Sequence, residues 1–419
     1  HANRAQRQKI IGVGRFDQSR FPVSLTNTSR DFNKATATTN TSQIGQYNVP
    51  VVLVIKKNHS TLKNLLEWLK EHSVQQGSQM VSQPMLLIDD EADNASINTR
   101  YDRDEVTRIN GQIRELLSLF QRSCYVGYTA TPFANIFIDP DTDDEVLQQD
   151  LFPRHFIIGL DAPSNYFGAQ RVFIDEPDQF IRIINDNEDV FPTRHKIDYP
   201  VDTLPSSLEH AVRTFLVARA IRNLRGQSSQ HASMLVNASR FTDVQGRLRV
   251  RLSDLLEGIH DAVAIDGSKT VDAALKNREI AALHSAWELE YGGLEDAAWE
   301  DIQPRLHEVL TGIQVVEVNT SRRTAKLDYD VAGEHGLSVI AVGGYSLSRG
   351  LTLEGLTISY FLRNSKMYAT LMQMGRWFGY RPGYEDLCRI WMPAESEGWY
   401  AHIHEASDDL QSQLRDMEL

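Results

Sequence analysis

The sequence predicts an α/β protein of two domains built on parallel sheets, with a helical insertion in the second. Three observations predict it. Apolar runs of strand length, at 85–88, 234–236 and 339–342, show no alternation, as strands covered on both faces do. Between them lie longer segments whose apolar residues recur at helical spacing, such as Ile109, Ile113, Leu116, Leu117 and Phe120. Several of the apolar runs also end abruptly in acids, hydroxyls or arginines, and ligands of parallel sheets sit beyond the carboxyl ends of the strands.

A chain of 419 residues is long enough for two domains with sizeable cores. Proline and polar residues thicken over 191–207, which sets the expected boundary between a first domain, 1–195, and a second, 204–419. Hydrophobic residues at 41% and charged residues at 24% describe a soluble globular protein. No apolar stretch approaches the roughly 20 residues of a membrane helix. Two cysteines, Cys124 and Cys388, argue against a disulfide framework or a thiolate zinc site, so the expected compartment is the reducing cytoplasm. A net charge of −13 repels nucleic acid, so any DNA binding needs a local basic channel. The sequence begins at His1 without an initiator methionine and is expected to be a fragment of a longer protein.

In chain order, residues 1–48 are polar and without periodicity and read as a loop lead-in. Residues 49–55 read as a buried strand, followed by the basic turn of Lys56 and Lys57 and a helix capped by Ser60. The basic turn is a candidate phosphate contact or a solvated turn. Residues 84–94, PMLLIDDEADN, form the element around which the chain is organised: an apolar run that breaks into Asp89, Asp90, Glu91 and Asp93. Magnesium takes one or two carboxylates and keeps its waters and phosphate oxygens, so Asp90 suits the ion and Glu91 suits an attacking water. The alternative is an acidic first helical turn, favoured by the helix dipole. A crossover helix then leads to a strand at 123–128 that delivers Thr129 and Thr131 to the same edge. Residues 139–150 read as an acidic loop and 156–160 as a further short strand.

The second half opens with a helix at 208–225. Its strands at 234–236 and 315–318 end in Ser239 and Arg240 and in Ser321, Arg322 and Arg323, and the helix-rich stretch of about 252–310 between them reads as an inserted subdomain. A strand at 339–342 enters the glycine-bearing loop that holds Ser346, Arg349 and Gly350. A helix from Lys366 then aligns Met367, Leu371, Met374 and Phe378 on one apolar stripe, with Gln373 and Arg376 off that stripe and Arg381 beyond its end. Trp377, Phe378 and Tyr380 are expected as packing residues rather than base-stacking platforms.

The stretches VPVVLVIKKN, LLIDDEADN, GYTATPFANI, SMLVNASRFTDVQ, GGYSLSRGLTLEGL and QMGRWFGYRPGY stand in the order expected of a superfamily-two helicase motor. More closely, the chain resembles the helicase-like motor family that carries the Z1 domain, labelled endonuclease and found near restriction and antiphage genes. The resemblance implies two RecA-like lobes that bind ATP and Mg2+ between them and translocate on double-stranded DNA, with cutting done by a nuclease domain or subunit. It implies that Asp90 and Glu91 are the magnesium and catalytic acids. Asp93, Thr129 and Thr131 would couple hydrolysis to DNA, and Ser346, Arg349 and Gly350 would meet nucleotide and strand. Gln373, Arg376 and Arg381 would form the arginine-finger helix, whose positive charge offsets charge on the transferred phosphoryl group. Lys56, Lys57, Ser239, Arg240, Arg322 and Arg323 are the candidate DNA contacts.

Three features depart from the motor pattern. Thr352 stands where related motors carry an acid, and Arg381 lies farther from Arg376 than is usual. No loop of the form GxxxxGK[ST] occurs, so the phosphate-cradling lysine is expected upstream of these residues. Two other readings compete with the motor: a nuclease with its metal at Asp89, Asp90 and Glu91, and a scaffold without chemistry. The nuclease needs a lysine or histidine beside the acids, and none follows them in sequence.

Overall fold

The computed structural model describes residues 22–27, 30–39, 44–72, 80–94, 96–97, 107–130, 133–136, 138, 143–144, 148–318, 327, 329, 336–344, 352–362, 371 and 374–418. The chain divides into two compact units, His1–Ile158 and Gly159–Leu419. The division falls well before the proline-rich stretch at 191–207. The reason is that residues after Gly159 supply an edge strand to the second unit, as described below.

The first unit is a small α/β body that holds, among the described residues, two parallel strand pairs and a short antiparallel one, 143–144 with 148–149. Strand β1 (Val23–Ser24) pairs with β2 (Val51–Val52). Helix α1 (His59–His72) follows, and its amino end is capped by Asn58, whose Oδ1 accepts the Thr61 amide at 2.9 Å. The cap is therefore Asn58 rather than Ser60. Strand β3 (Met85–Asp90), helix α2 (Arg108–Ser118) and strand β4 (Ser123–Tyr128) form one crossover unit, with β3 and β4 parallel and in register from Met85↔Ser123 to Asp90↔Tyr128. Leu65, Leu66, Trp68 and Leu69 of α1 and Leu116 of α2 pack on Met85 and Leu87 of β3. They cover one face only, because Leu86 and Ile88 are 61% and 62% exposed. The expectation that this apolar run is covered on both faces is thus corrected. Residues 156–160 carry no strand pairing, with Phe156, Ile158 and Leu160 exposed, and do not form the expected strand.

The second unit is built, among the described residues, on a six-stranded sheet. Its strands are β5 (Ile181–Ile183), β6 (Ala232–Asn237), β7 (Ile313–Val318), β8 (Ser338–Gly343), β9 (Leu356–Phe361) and β10 (Arg389–Met392), in the order β5-β10-β9-β6-β8-β7. Every pairing in it is parallel. Here the unalternating runs behave as expected. Met234 and Val236 enter one core cluster and Leu235 the other, as do Ile340 and Val342 against Ala341, so both faces are covered. Helix α3 (Ser206–Leu224) is buried along most of its length, and α4 (Thr242–Asp266) and α5 (Arg278–Tyr291) follow.

The helical stretch between β6 and β7 is present, but it is not a separate subdomain. Ile259, Val263, Ile280, Leu283 and Trp299 share one core with Leu216, Ile221 and Leu235. Leu371, Met374 and Trp377 are buried in the same core, with Trp377 5.5 Å from the Phe361 ring and 5.2 Å from Tyr400, which supports the packing reading. Tyr380 is exposed and meets Tyr166 edge to face.

Candidate functional site

The acid-bearing strand end of the first unit is built by β3, β4 and the turn before α1. Asp89 is buried, and its carboxylate has three donors. Lys57 Nζ donates to Oδ1 at 2.9 Å, and Ser96 Oγ and Tyr125 Oη donate to Oδ2 at 2.6 and 2.8 Å. Burial and the neighbouring Asp89 charge push the Tyr125 phenol well above its ordinary range, so it stays a donor. Behind this cluster, buried Asn110 bridges Ser96 O and Asp150 Oδ1, at 2.7 Å each. Successive side chains of a strand point to opposite faces, so Asp89 turns inward while Asp90, its neighbour, is exposed.

Asp90 Oδ1 accepts the Glu91 amide at 3.0 Å, and Glu91, also exposed, holds φ at +53°. A non-glycine residue in the left-handed region stores strain, which collects at functional sites. The turn is tied to the neighbouring strand twice. The Ala92 amide donates to Tyr128 O at 3.0 Å, and Thr129 Oγ1 donates to Asp93 Oδ1 at 2.8 Å. Asp93 and Thr129 are therefore brought together across the two strand ends.

Lys57, a candidate phosphate contact or part of a solvated turn, is instead engaged within the first unit. Its ammonium also donates to Asp90 O at 2.9 Å, Glu91 O at 2.7 Å and Ser96 Oγ at 3.0 Å, and its side chain is 21% exposed. Three N–H donors facing four oxygen acceptors leave none for a nucleic-acid phosphate. Lys56 is exposed. The lysine beside the acids, absent from the sequence that follows them, arrives from 32 positions upstream.

In the second unit, the carboxyl end of central strand β6 collects Asn237, Ser239, Arg240 and Gln245. Ser239 is 2% exposed, so its expected contact with DNA is corrected. Its Oγ is 2.8 Å from His195 Nε2 and accepts the Phe241 amide at 3.1 Å. His195 Nδ1 lies 2.8 Å from Pro192 O, which accepts only from a protonated nitrogen, so in the neutral ring Nε2 accepts a hydrogen bond from the Ser239 hydroxyl. The pair closes the 191–199 segment onto the strand end. Sequence reasoning missed it. Arg240 is exposed, with its guanidinium 4.7 Å from the Phe241 ring centroid.

Gly344, at the start of the glycine-bearing loop, approaches so closely that a Cβ there would lie 2.7 Å from Gln245 Nε2 and 2.8 Å from Ser239 O. Gly344 at the end of β8 thus lies beside the end of β6. Arg381 folds back on its own segment. Its Nη1 donates to Tyr380 O at 3.0 Å and its Nη2 to Trp377 O at 3.1 Å, with longer bonds to Arg376 O and Phe378 O. That guanidinium holds the segment together and is not presented as a finger. Arg376 is half-buried in the same turn, its amide bonded to Met374 O. Thr131, Arg322, Arg323, Ser346, Arg349, Gly350 and Gln373 lie outside the described residues.

Another cluster that sequence reasoning missed sits where α5 meets strands β5 and β10. Buried Glu290 accepts Arg182 Nη2 at 2.8 Å, Arg389 Nε at 2.9 Å and His210 Nε2 at 3.2 Å. Burial by itself would raise its pKa, but the bonds from His210 and Arg182 and the two guanidinium charges override it and hold the carboxyl at about 2. No described helix is long and apolar enough to cross a membrane.

Comparison with curated proteins gives no match. The family model of the Z1 domain matches residues 207–419, which include the whole of α4 and α5 and five of the six strands of the large sheet. With more than half of its length matched, the chain belongs to the Z1 domain family.

Proposed function

We propose that the chain is the ATP-hydrolysing motor part of a helicase-like DNA translocase, with two RecA-like lobes, serving a restriction or phage-defence system. The observation that carries this reading is the strand-end arrangement of the first unit. Exposed Asp90 and Glu91 close β3, and Asp93 is bonded to Thr129 at the end of β4. A switch that links hydrolysis to DNA contact needs its acid turn bonded to the neighbouring strand end in this way. An exposed carboxylate at a strand end also suits Mg2+, which keeps most of its water and needs one or two protein oxygens. Asp90 would hold the ion, which supplies charge neutralisation to the nucleotide phosphates, and Glu91 would orient and deprotonate the attacking water. Arg376 would bring positive charge to the transferred phosphoryl group.

This sequence supplies no lysine in a GxxxxGK[ST] loop. Glu91→Gln is expected to lower ATP turnover with duplex DNA by at least a hundredfold while leaving ATP binding within about twofold, since it removes a base and keeps the shape. Unchanged turnover would sink the reading.

One observation favours a metal-dependent endonuclease as the second reading: Lys57 does stand beside the acids. Its direct pairing with Asp89 and with two main-chain carbonyls fits a clamp better than a group poised on a scissile phosphate. Among the described residues, no three or more His, Cys, Asp or Glu side chains are arranged to hold a metal ion. Cleavage of duplex DNA with Mg2+ or Mn2+ and no ATP, lost in Asp90→Asn, would establish the nuclease instead.

A further inference from the structure

We propose that Lys57 is a positioning residue that fixes the strained Asp90–Glu91 turn in the conformation the proposed hydrolysis uses. Two of the four oxygens around Nζ are main-chain carbonyls of the turn itself, Asp90 O at 2.9 Å and Glu91 O at 2.7 Å, and the others are Asp89 Oδ1 and Ser96 Oγ. Consecutive carbonyls that converge on one cation require a local reversal of the chain, and Glu91 with φ at +53° supplies it. Left-handed backbone is unfavourable for a glutamate and persists only where its surroundings over-determine it.

The surroundings here are one ammonium, the Asn94 amide on Glu91 O at 2.9 Å and the Ala92 amide on Tyr128 O at 3.0 Å. The ammonium is in turn fixed by Asp89, which Ser96 and Tyr125 hold from the other side. A chain of bonds of this kind commits the Lys57 donors to the turn and leaves the Asp90 and Glu91 side chains exposed, where a nucleotide-bound metal and a water can reach them. The function assigned to Lys57 differs from that of a lysine that contacts phosphate. It acts on the backbone of the acid turn and touches neither substrate nor metal.

The inference rests on the ATPase reading for its consequence but not for its geometry, and the experiment separates the two. Wild type, Lys57→Met and Glu91→Gln are compared by steady-state ATP hydrolysis with duplex DNA and by amide hydrogen exchange over 88–97. Lys57→Met keeps the length of the stem and removes every donor. The expected result is at least a tenfold faster exchange at Ala92 and Asn94, no change in the protected amides of α1 and α2, and a kcat about tenfold lower with KM for ATP within about twofold.

Lys57→Arg, which restores a cation, is expected to recover part of both the protection and kcat. Unchanged exchange at Ala92 and Asn94 overturns the proposal. So does a uniform rise in exchange across α1 and α2, which marks general loss of folding, or a rise in KM with kcat unchanged, which marks a substrate contact. If Glu91→Gln leaves turnover unchanged, the ATPase reading fails while the exchange result still decides whether Lys57 holds the turn.

Discussion

Arg381 donates to main-chain oxygens of Arg376, Trp377, Phe378 and Tyr380, and Gly379, with φ at +139°, makes the reversal that lets it reach them. A charged donor on such carbonyls contributes about 1–2 kcal/mol, so Arg381→Ala is expected to lower the unfolding free energy of the second unit by that amount in urea titration. A stability equal to wild type, with hydrolysis lost, would restore Arg381 as a finger. Arg376 carries the finger role in the proposed mechanism. Because a finger acts chiefly on transition-state charge, Arg376→Ala is expected to reduce kcat by roughly a thousandfold with ATP affinity changed by less than about fivefold. A loss of affinity alone would make Arg376 a ground-state contact. The reading of Arg381 comes from where its guanidinium donates, a property decided residue by residue.

At the scale of elements, Glu290 at the carboxyl end of α5 fastens that helix to edge strand β5 and its neighbour β10 through Arg182 and Arg389. Glu290 and Arg389 are both nearly inaccessible, so removing one partner leaves an uncompensated buried charge, which costs on the order of 3–5 kcal/mol. The folded pKa, about 2, lies below the ordinary carboxyl value of 4.5. The pair therefore stabilises the fold fully above about pH 4.5 and loses its contribution as pH falls from there toward 2. Glu290→Gln is expected to destabilise the protein by about 3 kcal/mol at pH 7, with the gap to wild type closing between pH 4.5 and 2. A gap independent of pH would show that packing, not charge, is lost. The same scale explains the glycine at 344: a Cβ there would strike Ser239 O and Gln245 Nε2, so the β6 and β8 ends can meet only at a glycine.

For the whole molecule, a net charge of −13 opposes any polyanion, so binding to duplex DNA has to come from local cations. Lys57 and Ser239 leave the set of candidates because their polar atoms are committed inside the fold, while Lys56 and Arg240 remain exposed. Each neutralised phosphate releases condensed counterions, so the salt slope reports how many phosphates the protein neutralises. Arg322→Ala with Arg323→Ala is expected to flatten the slope of log affinity against log salt by roughly 0.9 for each phosphate no longer neutralised, and to weaken binding alike across sequences. Lys57→Met is expected to leave the slope as in wild type. Equal slopes for wild type and the double variant would remove Arg322 and Arg323 from the DNA channel, and a flattened slope in Lys57→Met would return Lys57 to it.

What the sequence by itself determined is what neighbouring residues encode. The unalternating runs at 234–236 and 339–342 became strands buried on both faces, and the acids after Ile88 fell at a strand end, because apolar pattern and chain breaks are local properties. The tertiary structure decided which side chains meet. Lys57 reaches Asp89 across 32 positions, His195 reaches Ser239 across 44 and Arg389 reaches Glu290 across 99, and no spacing rule connects them. It also decided coverage: the run at 85–88 reads like its counterparts in the second unit, yet Leu86 and Ile88 are exposed because β3 has, among the described residues, one partner strand and helices on one face. Burial and pairing depend on what the rest of the chain brings to each strand, and a local pattern states only what a strand could accept.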